Sequence, residues 1–255
     1  MVLAPEQLLL YGLLVVAGVA AGFINTVAGG GSLLTLPALM LLGLPAQVAN
    51  GSNRLAVLTQ SISGVAAYRR AGKLETAAIG PVVLPTVVGA AVGALVAAYA
   101  PTWILEPVLL GTMVVMAIVL LVRPKLVSPA DDEPAITVRE RPAAALGLFA
   151  AGVYGGFIQA GVGFVLLAVI GGLLRHDVVR ANALKLTCTL LFGIVALGIF
   201  VNAGQVAWVP ATVLAVGTVI GSQLGVRFAV KTSPRVLRWI VFIAVTVSVI
   251  ALLVR

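Results

Sequence analysis

Two clusters of polar side chains interrupt otherwise apolar segments, and each contains one basic residue, Arg54 or Lys185. Polar and charged groups are costly in such segments, so we interpret both clusters as functional. Arg54 presents a planar fork of donors that suits an oxyanion, whereas Lys185 presents a compact ammonium group. The predicted chemistry is electrostatic binding of a small anion. The clusters comprise Asn25, Thr26, Ser32, Asn50, Ser52, Asn53 and Arg54 in the first half, and Gln159, Asn182, Lys185, Thr187 and Thr189 in the second.

A glycine-rich break lies beside each cluster and directly precedes a short apolar segment, 33–42 or 164–174. We expect each short segment to be a half-helix whose first-turn amides lack partners and carry the positive end of the helix dipole. Glycine also lets the backbone approach an anion, because no side chain intervenes. The candidate substrate-binding residues are therefore Asn25, Gly29, Gly30, Gly31, Ser32, Asn50, Ser52, Asn53, Arg54, Gln159, Gly161, Gly163, Asn182 and Lys185.

The composition indicates that these residues lie within a membrane. Of the 255 residues, 61% are hydrophobic and 9% are charged, and the mean hydropathy of +1.18 leaves too little polar surface for a soluble globule. We predict an all-α polytopic membrane protein. Segments long enough to cross a bilayer run over 77–98, 103–122, 182–201, 208–226 and 236–254, with less regular ones over 8–24, 48–68 and 143–158.

The two halves of the chain resemble each other at an offset of about 132 residues. The stretch AGVAAGFINTVAGG from Ala17 recurs as AGVYGGFIQAGVG from Ala151, and Asn50 recurs as Asn182. We predict a first transmembrane repeat over 1–122, a cytoplasmic linker over 123–142 and a second repeat over 143–255. About five helical segments in each repeat make the second copy inverted relative to the first.

Both basic residues are predicted to approach the middle of the membrane. Arg54 lies six residues beyond position 48, roughly 9 Å along a helix, and Lys185 lies seven residues beyond Val178, roughly 10 Å. The hydrocarbon core is about 30 Å thick, and inverted-repeat transporters hold their cargo near its midplane. A structural role stays open, because either cation could extend to the interface or pair with another group. Asn50 and Asn182 could likewise cap or bridge helices.

The distribution of the 16 Lys and Arg residues predicts the orientation, because cytoplasmic loops near membrane spans accumulate them. Loops near 43–47, 99–102 and 202–207 carry none and alternate with the basic loops. We therefore predict an inner-membrane protein with cytoplasmic basic loops and both termini outside. The basic loops contain Arg69, Arg70 and Lys73; Arg123, Lys125, Arg139 and Arg141; Arg175 and Arg180; and Arg227, Lys231, Arg235 and Arg238.

Several linked motifs resemble the sulfite exporter TauE/SafE family of membrane transporters over essentially the whole chain. They are GFINTVAGGGSLLTLPALMLLGLP from Gly22, then GSNRLA, YRRAGK, GVYGGFIQAGVG, RANALKL and AGQVAW in the family's order. The resemblance implies secondary transport of small sulfur-containing anions, such as sulfite or organosulfonates, and an all-helical inverted-repeat fold. Many relatives carry Asp where this chain has Asn25, commonly Lys where it has Arg54, and frequently Gly-Pro where it has Gln159 and Ala160.

The predicted mechanism is export by alternating access, with sulfoacetate as one candidate organosulfonate. Because the predicted spans contain no core carboxylate, the membrane potential is the most available driving force. It favours outward movement of one negative charge by about 2.3 kcal/mol per 100 mV when the inside is negative. Two alternatives stay open for the same class of anions, namely ion-coupled uptake with Na⁺ bound by neutral oxygens, and a passive channel.

An enzyme is not expected. His176 is the only histidine and Cys188 the only cysteine, and the eight acidic residues lie in loops or near span ends. The chain therefore lacks a metal-ligand pattern and a core acid–base pair, and no cofactor is expected. The net charge of +8 belongs to short loops beside membrane lipids, so no nucleic-acid partner is expected. The sequence leaves the exact cargo and the oligomeric state open, a homodimer included.

Overall fold

The described part of this computed structural model comprises residues 5–27, 29–122 and 134–232, together with residue 236. Within these residues the regular structure is helical, with no strand. The helices are α1 Pro5–Val27, α2 Ser32–Leu41, α3 Ala46–Arg70, α4 Ile79–Tyr99, α5 Thr102–Val122, α6 Ala143–Phe157, α7 Val162–Leu167, α8 Val178–Asn202 and α9 Trp208–Lys231. A 3₁₀ turn, Thr76–Ala78, precedes α4, and a π-helical segment, Ala168–Leu173, continues α7.

Among the residues that the structure describes, four helical stretches are long and apolar enough to cross a membrane: Leu9–Val27, Thr76–Tyr99, Val178–Asn202 and Trp208–Lys231. Large apolar side chains on α4, such as Leu84 and Val96, are exposed to the surroundings. The prediction of an all-α polytopic membrane protein is confirmed. Apart from residue 236, the predicted span 236–254 lies outside the described residues, as do linker residues 123–133 and the basic residues Arg123, Lys125, Arg235 and Arg238.

Three helices are too short to span the bilayer by themselves. The two predicted half-helices form: α2 has 10 residues, and α7 with its π-helical continuation covers Val162–Leu173. Helix α6 has 15 residues, about 22 Å, which is shorter than the core of about 30 Å and shorter than the span predicted for 143–158. Helix α7 begins two residues earlier than predicted, so Gly163 lies inside it.

The helices pack in two groups that exchange elements between the halves of the chain. Helix α9 packs against α1 and α3, and we call these three the first bundle. Helix α4 packs against α6 and α8, and we call these three the second bundle. Helices α3 and α8 contact each other between the bundles. The first bundle thus consists of α1 and α3 from the first half of the chain and α9 from the second half. The second bundle consists of α6 and α8 from the second half and α4 from the first half.

Candidate functional site

The two glycine-rich breaks meet in the interior of the protein. Beyond α1 and α6 the chain turns through left-handed backbone at Gly29 (φ 106°), Gln159 (φ 65°) and Gly161 (φ 73°). A Cβ atom added to Gly29 would lie 2.6 Å from the carbonyl carbon of Gly163, and one added to Gly163 would lie 2.5 Å from the Cα atom of Gly29. The two backbones are therefore in direct contact, which only glycine allows at both positions.

Arg54 on α3 binds the broken end of α6. Its side chain is fully buried and donates from one terminal nitrogen to the carbonyl of Gly155 (2.5 Å) and from the other to that of Gly156 (2.7 Å). Asn50 supports this contact, because its Oδ1 accepts a bond from Arg54 (3.3 Å) and its Nδ2 donates to the carbonyl of Phe157 (2.8 Å). The last carbonyls of a helix lack intrahelical donors and carry its negative end, so α3 caps α6.

Lys185 on α8 makes the corresponding contact with the broken end of α1. Its buried ammonium group donates to the carbonyl of Asn25 and to Oδ1 of Asn182, both at 2.6 Å. Asn182 in turn donates to the carbonyl of Val27 (3.0 Å). Each predicted cation therefore caps a helix of the other half of the chain, with a neighbouring asparagine beside it.

The partners of Arg54 and Lys185 are neutral carbonyl and amide oxygens and not carboxylates. In the part of the chain that the structure describes, neither Arg54 nor Lys185 pairs with a carboxylate. Arg180 pairs with Asp177, and His176 lies beside Glu75. The guanidinium of Arg54 also lies 5.0 Å from the centre of the Phe200 ring, a cation–π distance. An unneutralised cation in a buried position attracts an anion strongly, because the surroundings screen its charge weakly.

Three buried polar atoms near this region have no hydrogen-bond partner: Nε of Arg54, Nδ2 of Asn53 and Oε1 of Gln159. Buried polar atoms are normally satisfied, so each of them calls for an explanation. Asn53 is otherwise turned towards α2, where its Oδ1 accepts a bond from the Thr35 hydroxyl (2.6 Å). Gln159 is 2% exposed and lies in the strained turn that follows α6.

The remaining predicted residues lie close by but have other partners. The hydroxyl of Ser52 accepts a bond from the amide of Ala207 (2.8 Å), so it faces the loop before α9. Ser32 is buried at the start of α2. Gly30 lies against the Phe164 ring, and Gly31 lies against the backbone of α1. The described glycines of the first break thus lie against protein atoms in this conformation.

Sequence reasoning identified both cations but missed their acceptors, which are main-chain carbonyls at Asn25, Gly155 and Gly156. A carbonyl has no residue-type signature, so no motif could reveal it. The duplicated Asn50 and Asn182 were the available signal, since equivalent residues tend to make equivalent contacts. For the Phe200 ring beneath Arg54 the sequence offers no signal.

A second polar feature lies where loop 175–177 meets the start of α4. Nδ1 of His176 is 3.3 Å from Oε2 of Glu75, beside a cavity of about 120 Å³ that residues 135–138 also line. Burial lowers the pKa of His176 below its ordinary value of 6.5, although the charges of Glu75 and Asp177 oppose this shift. The imidazole lies in a loop predicted to be basic and cytoplasmic, and it is 4% exposed.

Comparison with known proteins matches residues 14–252 to the family described as sulfite exporter TauE/SafE. A protein of Sinorhizobium sp. named probable membrane transporter protein ORF9 is 28% identical over 241 residues, which cover 93% of this chain and 91% of that protein. The probable membrane transporter protein YfcA of Escherichia coli K12 is 27% identical over 230 residues, covering 90% and 84%. No solved structure matches the chain. The chain therefore belongs to the sulfite exporter TauE/SafE family, a family of membrane transporters.

Proposed function

We propose that this protein is a secondary transporter of small sulfur-containing anions, sulfite or organosulfonates such as sulfoacetate, and that it exports them by alternating access. The observation that carries the proposal is the pair of buried cations without carboxylate partners, Arg54 and Lys185. The family description supports the substrate class. The names of the relatives support membrane transport without specifying a cargo.

The contacts of the cations suit reversible binding of an anion. In the described conformation neutral carbonyls hold both cations. An anionic oxygen attracts a buried cation more strongly than a neutral carbonyl does, because two full charges interact and are weakly screened there. A sulfonate or sulfite oxygen can therefore displace a carbonyl. Arg54 can bind two oxygens of one anion through its planar fork, for which its unpartnered Nε is available.

The proposed arrangement in the membrane follows the duplication. Residues 1–122 and 143–255 form the inverted repeats, and the cytoplasmic linker 123–142 joins them. Both termini lie on the outer, non-cytoplasmic side of the inner membrane. The packing supports this arrangement, because α1 contacts α9 as α6 contacts α4, and α3 contacts α9 as α8 contacts α4. Arg54 and Lys185 make matching contacts with the broken helices, as an approximate twofold relation between the halves requires.

Ion-coupled uptake of the same anions is the second candidate. A cluster of neutral oxygens links α1, α3 and α9: the Thr26 hydroxyl donates to that of Ser222 (3.0 Å), which donates to the carbonyl of Gln60 (3.2 Å). Transporters of this general design bind Na⁺ through such neutral oxygens. Flux that requires a Na⁺ gradient would favour uptake over export.

The proposal is tested by measuring flux of labelled sulfite and sulfoacetate into proteoliposomes under potentials of either sign. We compare wild-type protein with Arg54→Gln and Lys185→Gln, and with Arg180→Gln as a control that loses the same charge from a side chain 55% exposed. We expect saturable flux that follows the potential, a loss of at least ten-fold in the first two variants, and little change in the control. Each factor of ten corresponds to about 1.4 kcal/mol.

Two results would contradict the proposal. Flux that is unaffected in folded Arg54→Gln and Lys185→Gln protein would make both cations structural. Absence of flux under every potential and ion gradient would exclude these anions as cargo. A passive channel is distinguished by counterflow, because unlabelled anion inside the vesicles accelerates entry of label only through a carrier.

A further inference from the structure

We propose that the bodies that move against each other during transport are the two bundles and not the two halves of the chain, and that Arg54 and Lys185 are the ties between these bodies. This inference rests on the proposed function, because it assigns the moving parts of the same transporter. It differs from the simplest expectation for a duplicated chain, in which one repeat rocks against the other. The packing of α4 and α9 carries it.

Backbone contacts lock α9 onto α1 and α4 onto α6. A Cβ atom added to Gly22 on α1 would lie 2.8 Å from the Cα atom of Thr218 on α9. In the other bundle, a Cβ atom added to Gly156 on α6 would lie 2.7 Å from the Cα atom of Ala90 on α4. Helices that meet through glycine in this way approach at backbone distance. Such interlocked surfaces have little room to slide, so each pair moves as a unit.

Hydrogen bonds attach α3 to the same body as α9. The Thr218 hydroxyl donates to the carbonyl of Ala56 (3.0 Å), and Nε2 of Gln223 donates to the Ser63 hydroxyl (2.6 Å). Together with the bond from Ser222 to Gln60, these contacts follow about two turns of α3 along α9. Helix α9 belongs to the second half of the chain, yet its contacts bind it to α1 and α3 of the first half.

The boundary between the bundles has a different character. Where α3 meets α8, the glycines face the ends of flexible side chains and not a backbone. A Cβ atom added to Gly64 would lie 2.6 Å from Cδ1 of Leu186, and one added to Gly193 would lie 3.6 Å from Cδ1 of Leu58. The backbone contact between Gly29, beyond α1, and Gly163 on α7 has to open as well when the bundles move.

The cations cross this boundary in both directions: Arg54 of the first bundle binds α6 of the second, and Lys185 of the second binds α1 of the first. A relative movement of the bundles must therefore break these bonds. An anion between the bundles offsets that loss, because it replaces the carbonyls as partner of the cations.

Disulfide cross-linking separates the two descriptions. In a Cys188→Ser background, the pair Ser63→Cys with Gln223→Cys joins α3 to α9 within one bundle but across the halves of the chain. The pair Leu58→Cys with Gly193→Cys joins the bundles. Transport is followed with sulfoacetate, because sulfite itself cleaves disulfides.

We expect oxidation of the Leu58–Gly193 pair to abolish flux and a reductant to restore it, while the oxidised Ser63–Gln223 pair keeps at least half of its flux. Loss of flux in the oxidised Ser63–Gln223 pair would overturn the inference, as would full flux in the oxidised Leu58–Gly193 pair. The unoxidised variants test the proposed function separately. If they show no flux before oxidation, the proposed cargo is wrong, and the result says nothing about which bodies move.

Distances between spin labels give a measurement that needs no cargo flux. Three exposed apolar residues suit labelling, namely Ile62 on α3, Leu95 on α4 and Ile220 on α9, which are 52%, 48% and 47% exposed. We expect the Ile62→Cys and Ile220→Cys labels, which lie in one bundle, to keep a single distance with and without sulfoacetate. The Ile62→Cys and Leu95→Cys labels, which lie in one half of the chain but in different bundles, should show a second distance or a shift. The reverse pattern, or no change in either pair, would overturn the inference.

Discussion

Replacing Gly22 by alanine should destabilise the first bundle, because the added methyl group has no space. It would lie 2.8 Å from the Cα atom of Thr218, whereas two non-bonded carbon atoms prefer about 3.5–4.0 Å. Helices α1 and α9 must therefore separate by about 1 Å, and neither side of the contact is a flexible side chain. Overpacking of this kind costs about 1–3 kcal/mol.

The control for this prediction lies in the same helix. A methyl group added to Gly12 meets nothing within 4 Å. Alanine is favoured over glycine inside a helix by about 0.5–1 kcal/mol, so Gly12→Ala should be neutral or slightly stabilising. The two substitutions add the same atoms to α1 and differ in what those atoms contact.

The assay is unfolding of the purified protein in detergent micelles, followed by intrinsic fluorescence during heating or titration with denaturant. We expect the Gly22→Ala midpoint to fall below that of wild type and the Gly12→Ala midpoint to equal or exceed it. Equal stability of Gly22→Ala and wild type would refute the interlocked contact between α1 and α9. It would also remove the main support for treating those helices as one moving body.

Three further predictions concern the interior and the cavity beside Glu75. Gly163→Ala should reduce flux at least ten-fold in protein that still elutes as a folded species, since the added methyl group would lie 2.5 Å from the Cα atom of Gly29. Flux equal to that of wild type in this variant would show that the two glycine-rich breaks need not touch. Asn182→Leu should lower the unfolding midpoint by removing a buried cap worth about 1–3 kcal/mol, and an unchanged midpoint would contradict the cap at Val27. Wild-type stability should fall as the pH decreases below about 6.5, because burial lowers the pKa of His176 and the unfolded chain then binds the extra proton. His176→Gln should flatten this dependence, and an equally steep loss in the variant would assign it to another group.

Much of the secondary structure follows from local sequence. Helices α4, α5, α8 and α9 begin and end within about five residues of the predicted bounds, because long apolar runs have few alternatives in a membrane. The short segment 33–42 was correctly predicted as a half-helix, since its length is too small to span and a glycine-rich break precedes it. For α7 the start was misplaced by two residues, because Gly161 takes a left-handed conformation at the N-cap and the helix begins at Val162.

The sequence by itself determined that the chain is a helical membrane protein and that Arg54 and Lys185 interrupt apolar helices, and it predicts a duplication. These properties depend on residue types and on their order along the chain. Only the tertiary structure decided that Arg54 bonds to Gly155 and Gly156, and that Lys185 bonds to the carbonyl of Asn25. Those acceptors are backbone atoms more than 100 positions away, and such atoms are common to every residue type. Only the tertiary packing that brings α3 to the end of α6 and α8 to the end of α1 selects them. The same packing, with α4 and α9 exchanged between bundles, places both cations at the boundary between the two bundles.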